Sequence, residues 1–337
     1  MSQHVMVGLV PTIHAFLLNA VFRTWVLGTS PGMTREARVK GARRKGTMFA
    51  PEIILAAVLN GLMTGSVYAL IALGLTLVYG VLHIINFAHG ATLTAAMFAV
   101  YVAHGVFRID PYVSLLIVTP LFFGLGYALQ RFVIGPASHG EDRNILLVTL
   151  GLSIMIENAL LAAFRSDTRS IDVPYAFSSI DLGITFLALP RVLAFGVAIA
   201  VALLLGLLLT KTDTGKAIRA VAREKTGAAL AGIDVSHIYA VTFGLGAACV
   251  AIAACLLMPT FYVTPRAGNA FVLVAFTIVV LGGMGSIPGA LLGALFIGVV
   301  ESLCGLFFGE SLGQIGIFVI FILVLLVKPT GLFGARA

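Results

Sequence analysis

The stretch TKTDTGKAIRAVAREKTGAALAGIDVS, residues 210–236, is a polar island between two long apolar runs. Residues 194–210 and residues 235–265 contain no Asp, Glu, Lys or Arg. Between these runs the island has five cations and three acids: Lys211, Lys216, Arg219, Arg223 and Lys225 against Asp213, Glu224 and Asp234. Because Lys and Arg in short loops beside membrane spans are retained in the cytoplasm, the island predicts a cytoplasmic loop of a membrane protein.

The island also has the pattern of two short helices. Thr212 or Thr214 can cap the first helix, in which Ile218, Val221 and Ala222 form an apolar stripe. Gly232 can adopt the left-handed conformation that ends a second helix over residues 226–231. On these residues alone two interpretations stay open: a loop that only fixes the topology, or an element on which a cytosolic partner docks.

Composition places the chain among polytopic membrane proteins. Of its 337 residues, 60% are hydrophobic and 10% are charged, whereas a soluble domain has about 25% charged residues. The net charge of +7 comes mainly from the N-terminal tail and the island, so it does not indicate nucleic-acid binding. The cysteines lie in apolar runs without metal-ligand spacing and are expected to be small core residues: Cys249, Cys255 and Cys304.

The apolar runs predict an all-α polytopic membrane protein with about eight transmembrane segments. A span needs about 20 apolar residues, so residues 271–281 are expected to form only a short or tilted crossing. Residues 165–191, in which acids and bases balance, are expected to form an external loop. The predicted segments are 53–81, 91–107, 112–134, 144–164, 192–209, 237–258, 290–308 and 313–327.

Residues 1–47 do not fit this topology. Five spans before a cytoplasmic island place the chain before residue 53 outside, although its basic cluster should be inside. We therefore expect residues 1–47 to be an N-terminal extension, disordered or upstream of a true start at Met48. The basic residues of the cluster are Arg35, Arg38, Lys40, Arg43, Arg44 and Lys45.

No catalytic or nucleotide-binding motif was found among GxxxxGK[ST], HExxH and paired cysteines, so no enzyme activity and no cofactor are expected. Uphill transport would then draw on an ion gradient or on a separate ATPase. Ion-coupled carriers usually place ionisable residues at mid-membrane. Glu157 and Glu301 are the candidates in this chain, without an obvious partner, which favours a separate ATPase.

Three glycines in the late part of the chain, Gly285, Gly289 and Gly293, repeat every four residues. On one helix they would form a flat stripe against which another helix packs closely. An ordinary contact within the chain, an interface with a second membrane subunit, or a flexible break beside a pathway would each explain these glycines. Gly61 and Gly65 form a weaker pair of the same kind.

Four polar residues are candidates for a pathway or gating role: Asn60, Asn86, His89 and Glu301. Asn86 and His89 occur in INFAHG, where one predicted helix gives way to the next. They either satisfy the backbone groups freed there or line a pathway. Glu301 is either interfacial or, as an intramembrane carboxylate, part of a pathway, and Asn60 has the same ambiguity.

Four blocks of the sequence resemble the LivH-like family, the inner-membrane permeases of branched-chain amino acid ABC transporters. The first block, residues 60–90, is NGLMTGSVYALIALGLTLVYGVLHIINFAHG, and the second, GKAIRAVA with ALAGID, lies within residues 215–234. The third is AFTIVVLGGMGSIPGALLGALFIGVVESL, residues 275–303, and the last is LLVKPTGLFG, residues 325–334. The resemblance identifies residues 48–334 as an ABC importer permease domain and also favours a start at Met48.

The resemblance implies a multi-pass subunit of a bacterial inner membrane, with the loop and the C-terminus in the cytoplasm. Such permeases pair with a homologous second permease and two cytosolic ATP-binding subunits, and a periplasmic binding protein delivers the solute. The island then becomes an ATPase-coupling loop, in which the turn Glu224–Thr226 departs from the family pattern. Its candidate residues are Gly215, Lys216, Arg219, Ala220, Arg223, Ala229, Gly232 and Ile233.

Alternatives to branched-chain amino acids stay open at this point. Sister permeases carry urea or short amides. An ion-coupled secondary carrier acting alone is less favoured, and a non-transporting membrane scaffold less still.

Overall fold

The computed structural model of the chain describes residues 51–138, 142–181, 186–328 and 331. The expected N-terminal extension, residues 1–47, lies outside the described residues. The chain divides into two units, Met1–Ile53 and Ile54–Ala337, and the helical bundle belongs to the second.

The described residues form helices almost throughout. A π-helical turn, Leu129–Ile134, follows α3, and two short strands, β1 (Ser179–Asp181) and β2 (Phe186–Ala188), pair antiparallel. The helices are α1 (Pro51–Leu82), α2 (Ala88–Phe107), α3 (Pro111–Ala128), α4 (Gly135–Ser138), α5 (Asp142–Phe164), α6 (Leu189–Lys211), α7 (Asp213–Arg223), α8 (Lys225–Leu230), α9 (Val235–Leu257), α10 (Gly268–Gly282), α11 (Ile287–Phe308) and α12 (Glu310–Val327).

Seven helical segments of the described chain are long and apolar enough to cross a membrane. They begin with α1, α2, α3, α5, α6, α9 and α11, while α10 and the helical part of the last segment, residues 312–327, are shorter. The prediction of an all-α polytopic membrane protein is confirmed. With 15 residues, α10 rises only about 22 Å, which agrees with the expectation that residues 271–281 are short for a full crossing.

Helices α1 and α9 form the centre of the bundle. Within their apolar windows 83% and 89% of the residues are buried, against 17% for α5 and 22% for α11. A helix that is apolar all round and buried is a core helix, whereas an apolar helix with an open face is suited to lipid or to a partner subunit. The outer helices α5, α6 and α11 therefore present apolar surface outward.

The connection between α5 and α6 is ordered in its described parts. Arg169 and Val263 exchange backbone hydrogen bonds of 2.9 and 2.7 Å, and the Tyr175 hydroxyl donates to Asp110 Oδ2 at 2.7 Å. Burial and this bond to a carboxylate raise the pKa of Tyr175. The expected external loop is thus tied to the start of α3 and to the α9–α10 turn.

Glycines bring α1 and α11 into backbone contact. A Cβ added at Gly61 would lie 2.6 Å from Val299 Cα, and one at Gly65 would lie 2.6 Å from the Ala294 carbonyl oxygen. A Cβ added at Gly298 would fall on the Gly61 carbonyl oxygen. No larger residue fits this crossing without a shift of the backbone.

The expected single stripe of Gly285, Gly289 and Gly293 needs a correction. Gly285 precedes α11, in a turn where its φ of +86° suits glycine. Gly289 and Gly293 lie on α11, and an added Cβ at Gly289 would fall on the Gly282 carbonyl oxygen of α10. The sequence shows the spacing but not where the helix begins, so the three glycines could not be assigned to separate elements.

Candidate functional site

The polar island folds as a two-helix loop, α7 and α8, which we call the docking loop (residues 212–234). Thr212 begins it: its Oγ1 donates to the Leu208 carbonyl at 2.6 Å and accepts from the Gly215 N–H at 3.0 Å. A Cβ added at Gly215 would fall on the Leu208 carbonyl oxygen. Of the two predicted caps the structure uses Thr212, and Gly215 belongs to the corner with α6 and not to an open surface.

Helix α7 has two distinct faces. Ile218 and Val221 are buried against the bundle, each 2% exposed, as their spacing predicts. The opposite face leaves Lys216, Arg219, Ala220 and Arg223 exposed. An open basic face that contains a small residue is suited to a protein partner with acidic groups.

One ion pair within this face is local. Lys216 Nζ lies 2.9 Å from Asp213 Oδ1, and its hydrogen bond and charge lower the pKa of the Asp213 carboxyl. Both side chains are largely exposed, so this pair contributes little to stability.

Helix α8 continues the surface. The Glu224 carboxylate accepts from the Thr226 N–H at 3.1 Å and caps the helix, and Gly232 ends the turn with a φ of +88°. Ala228 faces inward, whereas Ala229 is exposed and Ile233 is half-buried. Leu230, which the sequence reasoning did not select, is 87% exposed.

The sequence did not indicate that the docking loop and the start of α9 contact α3 and the π-helical turn that follows it. Arg131, in the π-helical turn, donates to Ser236 Oγ at 2.7 Å and lies 3.9 Å from Asp234 Oδ2. Tyr127 and His237 form a 3.0 Å hydrogen bond. The Asp234 carboxylate caps α9 by accepting from the His237 N–H at 3.0 Å, which lowers the pKa of Asp234.

Asn86 and His89 are buried and bonded to the backbone. Asn86 Oδ1 accepts from the Ala88 N–H at 3.0 Å, and the His89 ring nitrogen Nε2 lies 2.8 Å from the Ile71 carbonyl oxygen. Their exposed fractions are only 3% and 2%. The geometry favours bonding to the backbone, at the α1–α2 break for Asn86 and in the interior of α1 for His89, over a contact with a solute.

Asn60 and Glu301 lie near the opposite end of the bundle from the docking loop. Asn60 Oδ1 accepts from Arg191 Nη1 at 3.3 Å, and Glu301 Oε1 accepts from the Tyr68 hydroxyl at 3.3 Å. Arg191 is in the first turn of α6, and α6 ends at the docking loop about 30 Å further on. The structure thus brings the predicted residues Asn60 and Glu301 to one region. Their partners there, Arg191 and Tyr68, were not predicted.

Comparison with known proteins gives a consistent result. The family model described as branched-chain amino acid transport system / permease component matches residues 57–327. The chain belongs to this family. It is 34% identical to the permease protein BraD of Pseudomonas aeruginosa, over 84% of this chain and 97% of BraD.

Further members of the permease family show the same relationship. LivH of Escherichia coli strain K12 is 32% identical over 82% of this chain and 94% of LivH. A probable LivH of Methanocaldococcus jannaschii is 26% identical over 82% of this chain and 91% of its own length. The solved structure of PsaBC from Streptococcus pneumoniae in complex with Fab covers 86% of this chain and 96% of that chain, with 14% identity and a TM-score of 0.44, too low for inference.

The family match contains the entire docking loop as well as Asn60, Arg191 and Glu301. In this permease the loop has open cations on one face and hydrogen-bonded caps at both helix starts. The other end has a cavity lined by Tyr68 of α1 and Arg191 of α6, which are hydrogen-bonded to Glu301 and Asn60 respectively.

Proposed function

We propose that this chain is the membrane permease subunit of an ABC importer that carries branched-chain amino acids. The curated relatives BraD and LivH are named as permeases of high-affinity branched-chain amino acid transport systems. The proposal extends that substrate class to this chain, with urea and short amides as the alternative within the family.

One observation supports the mechanism most directly: the docking loop is a rigid, capped element with an open face. Hydrogen bonds cap the starts of α7, α8 and α9, and Ile218 and Val221 fix α7 on the bundle. A partner can shift a conformational equilibrium only through contacts that differ between two states. A rigid loop can pass such differences on to α6 and α9, to which it is joined.

The proposed occupant of this open face is a cytosolic ATP-binding subunit. The face presents Arg219 and Arg223 for acidic groups and Ala220 for close approach, with Leu230 as an apolar contact. The cations of the loop also favour a cytoplasmic location. With the loop and the C-terminus inside, a homologous second permease would pack beside this one and a periplasmic binding protein would dock at the other end.

Uptake assays in cells that lack this chain test the substrate class. We expect loss of labelled leucine and valine uptake, restored by the full chain, and no change in urea uptake. Loss of urea uptake alone would transfer the chain to the urea subgroup. Uptake that stops with an uncoupler while ATP is intact would instead support an ion-coupled carrier.

The Ala220→Glu substitution tests the docking surface. A carboxylate on this face would repel the acidic groups expected on the partner, would occupy the space needed for close approach, and would lower leucine uptake by about tenfold or more. Thr214→Glu is the matched control, because it adds the same charge to an exposed position in the first turn of α7, where the helix dipole favours it. Gly215→Asp is unsuitable, since a side chain there would displace the α6–α7 corner.

Quantitative membrane blots and co-purification complete this test. We expect Ala220→Glu to reach the membrane at the normal level but to retain less of the ATP-binding subunit. Normal uptake and normal co-purification of this variant would refute the assignment of the surface.

A further inference from the structure

A small cavity between α1, α6, α9 and α10 lies at the end of the bundle remote from the docking loop. Its volume is about 120 Å³, and it is lined by Tyr68 and Arg191 together with apolar residues such as Val67, Leu257, Phe261 and Phe271. One water molecule needs about 10–15 Å³ of such space. The cavity can therefore hold a small branched aliphatic group.

The cationic side of the cavity is the Arg191 guanidinium. One of its N–H groups goes to Asn60 Oδ1 at 3.3 Å, and a guanidinium has five donors in a planar fork. A carboxylate can therefore bind to the remaining donors in a bidentate manner. Arg191 is exposed at the start of α6, so this side is open to an incoming anion.

The anionic side is Glu301, reached through Tyr68. The Tyr68 hydroxyl, on a cavity-lining side chain, donates to Glu301 Oε1. The second oxygen, Oε2, is buried and has no hydrogen-bond partner among the described residues. Glu301 itself is not among the residues that line the cavity, so its charge acts through the Tyr68 hydroxyl oxygen, which can accept a hydrogen bond from an ammonium group.

The backbone at this side is held in place independently of any solute. Ser302 Oγ, adjacent to Glu301, donates to the Ala57 carbonyl at 2.7 Å. The α1–α11 crossing at Gly61 and Gly298 lies beside it. Glu301 is thus held near Tyr68 by packed backbones, as a recognition group needs to be.

We propose that this cavity is a contact site for a zwitterionic amino acid within the permease. Arg191 receives the α-carboxylate, the Tyr68 hydroxyl oxygen, hydrogen-bonded to the Glu301 carboxylate, receives the α-ammonium, and the apolar lining receives the aliphatic side chain. The proposal rests on the proposed function, because it assigns a contact to the same solute. It adds that the permease itself, and not only a binding protein, recognises both charged ends.

Photolabelling tests the site directly. The permease is purified with its partner subunits, without binding protein, and irradiated with a diazirine analogue of leucine. Mass spectrometry should locate the label on α1 near Val67 and on α9–α10 between Leu257 and Phe271. Leucine should suppress this label, whereas 4-methylpentanoate, which lacks the ammonium, and 3-methylbutylamine, which lacks the carboxylate, should suppress it poorly.

Two substitutions test the two charges. Arg191→Gln and Glu301→Gln should each lower specific labelling by about tenfold, because each removes a charge-assisted hydrogen bond. Arg165→Gln is the control, since Arg165 is an exposed cation at the end of α5 that does not line the cavity. The photolabelling competition with leucine and its two truncated analogues uses only the wild-type protein. It therefore tests the site even if Glu301→Gln fails to fold.

The outcomes separate this site from the proposed function. Leucine uptake that depends on the chain, combined with labelling elsewhere or with labelling unchanged in both variants, would overturn the site alone. Leucine uptake that is unchanged when the chain is deleted, together with urea uptake that is lost, would overturn the proposed function and with it the zwitterion site. Equal suppression by leucine and by the two truncated analogues would show an apolar cavity without charge recognition, which also overturns the site.

Discussion

The two ends of α6 show two ways of building a contact surface. At its C-terminal end, the docking loop is made from consecutive residues, and the hydrogen bonds that cap its two helices are local: Thr212 with Gly215, Glu224 with Thr226. At its N-terminal end, the cavity combines α1, α6, α9 and α10, and the bond from its Tyr68 to Glu301 of α11 joins residues 233 positions apart. A face that meets a protein can be local in sequence, whereas a cavity for a small solute requires distant groups to converge.

The largest expected effect comes from the cavity end. Gly298→Leu places a side chain where α1 and α11 touch backbone to backbone. Overpacking typically costs about 1–3 kcal/mol, and more where backbones must separate. We expect the amount of folded protein in the membrane to fall by about tenfold, because α1 is the central helix of the bundle.

Gly151→Leu is the matched control for this crossing. A Cβ at Gly151 meets nothing within 4 Å, and the residue is on the exposed face of α5. Membrane levels are measured by blot and by size-exclusion chromatography. Equal levels of the two variants would mean that the close crossing does not hold the cavity end together.

An intermediate effect is expected at the docking end. Thr212→Val keeps the shape of the side chain but removes the cap of α7, and the loss of a cap costs about 0.5–2 kcal/mol. The docking loop should exchange amide hydrogens faster, and leucine uptake should fall by a few-fold while membrane levels stay normal. Hydrogen-exchange mass spectrometry of residues 213–223 measures the first effect.

Thr210→Val is the matched control for Thr212→Val, because it removes a threonine hydroxyl without removing a helix cap. Thr210 Oγ1 donates only to carbonyls of its own helix, Gly206 at 2.8 Å and Leu207 at 3.4 Å, and caps no described helix. Unchanged exchange in both variants would show that local caps do not make the loop rigid. The docking loop would then not be stabilised by contacts between residues close in sequence, and it would not differ in this respect from the cavity at the other end of α6.

The smallest effect is expected for the exposed pair of Asp213 and Lys216. The pKa of Asp213 is lowered from its ordinary value of 3.8, so the pair is present above that value and is lost only as the pH falls through the lower folded-state pKa. Between pH 6 and 8 this pair should give uptake no pH dependence. Asp213→Asn should leave uptake within about twofold of the wild type, because exposed pairs contribute little.

Uptake with labelled leucine across this pH range, for both proteins, checks the prediction. A marked fall with Asp213→Asn would place this carboxylate in the docking contact itself. That result would extend the docking face to the first turn of α7.

Much of the fold follows from composition and periodicity. Apolar runs of membrane length predict the long helices, and the Thr212 cap and the Gly232 turn of the docking loop follow because these residues lie near their own backbone partners. The fold class and the family were accordingly predicted correctly. The contribution of each predicted docking residue to ATPase coupling stays a prediction.

Other features could not be predicted, because their partners are far away in the chain. Gly215 has the same appearance in sequence as a surface glycine, but α6 leaves no room for a side chain there. Asn86 and His89 have the appearance of pathway residues, yet the Ala88 N–H and the Ile71 carbonyl engage them. The π-helical turn and the contacts of Arg131 with Ser236 also depend on how α3 meets α9.

Hydropathy, charge and capping act over a few residues, so they were enough to predict a multi-pass helical permease with a basic, capped loop. Helix packing established which glycines carry backbone contacts and which polar groups are already satisfied. It also brought Arg191 and Tyr68 to one cavity and bonded Tyr68 to Glu301. The physical reason is that helix packing fixes the distances between side chains remote in sequence, and those distances decide whether a polar group is satisfied or left to bind a solute.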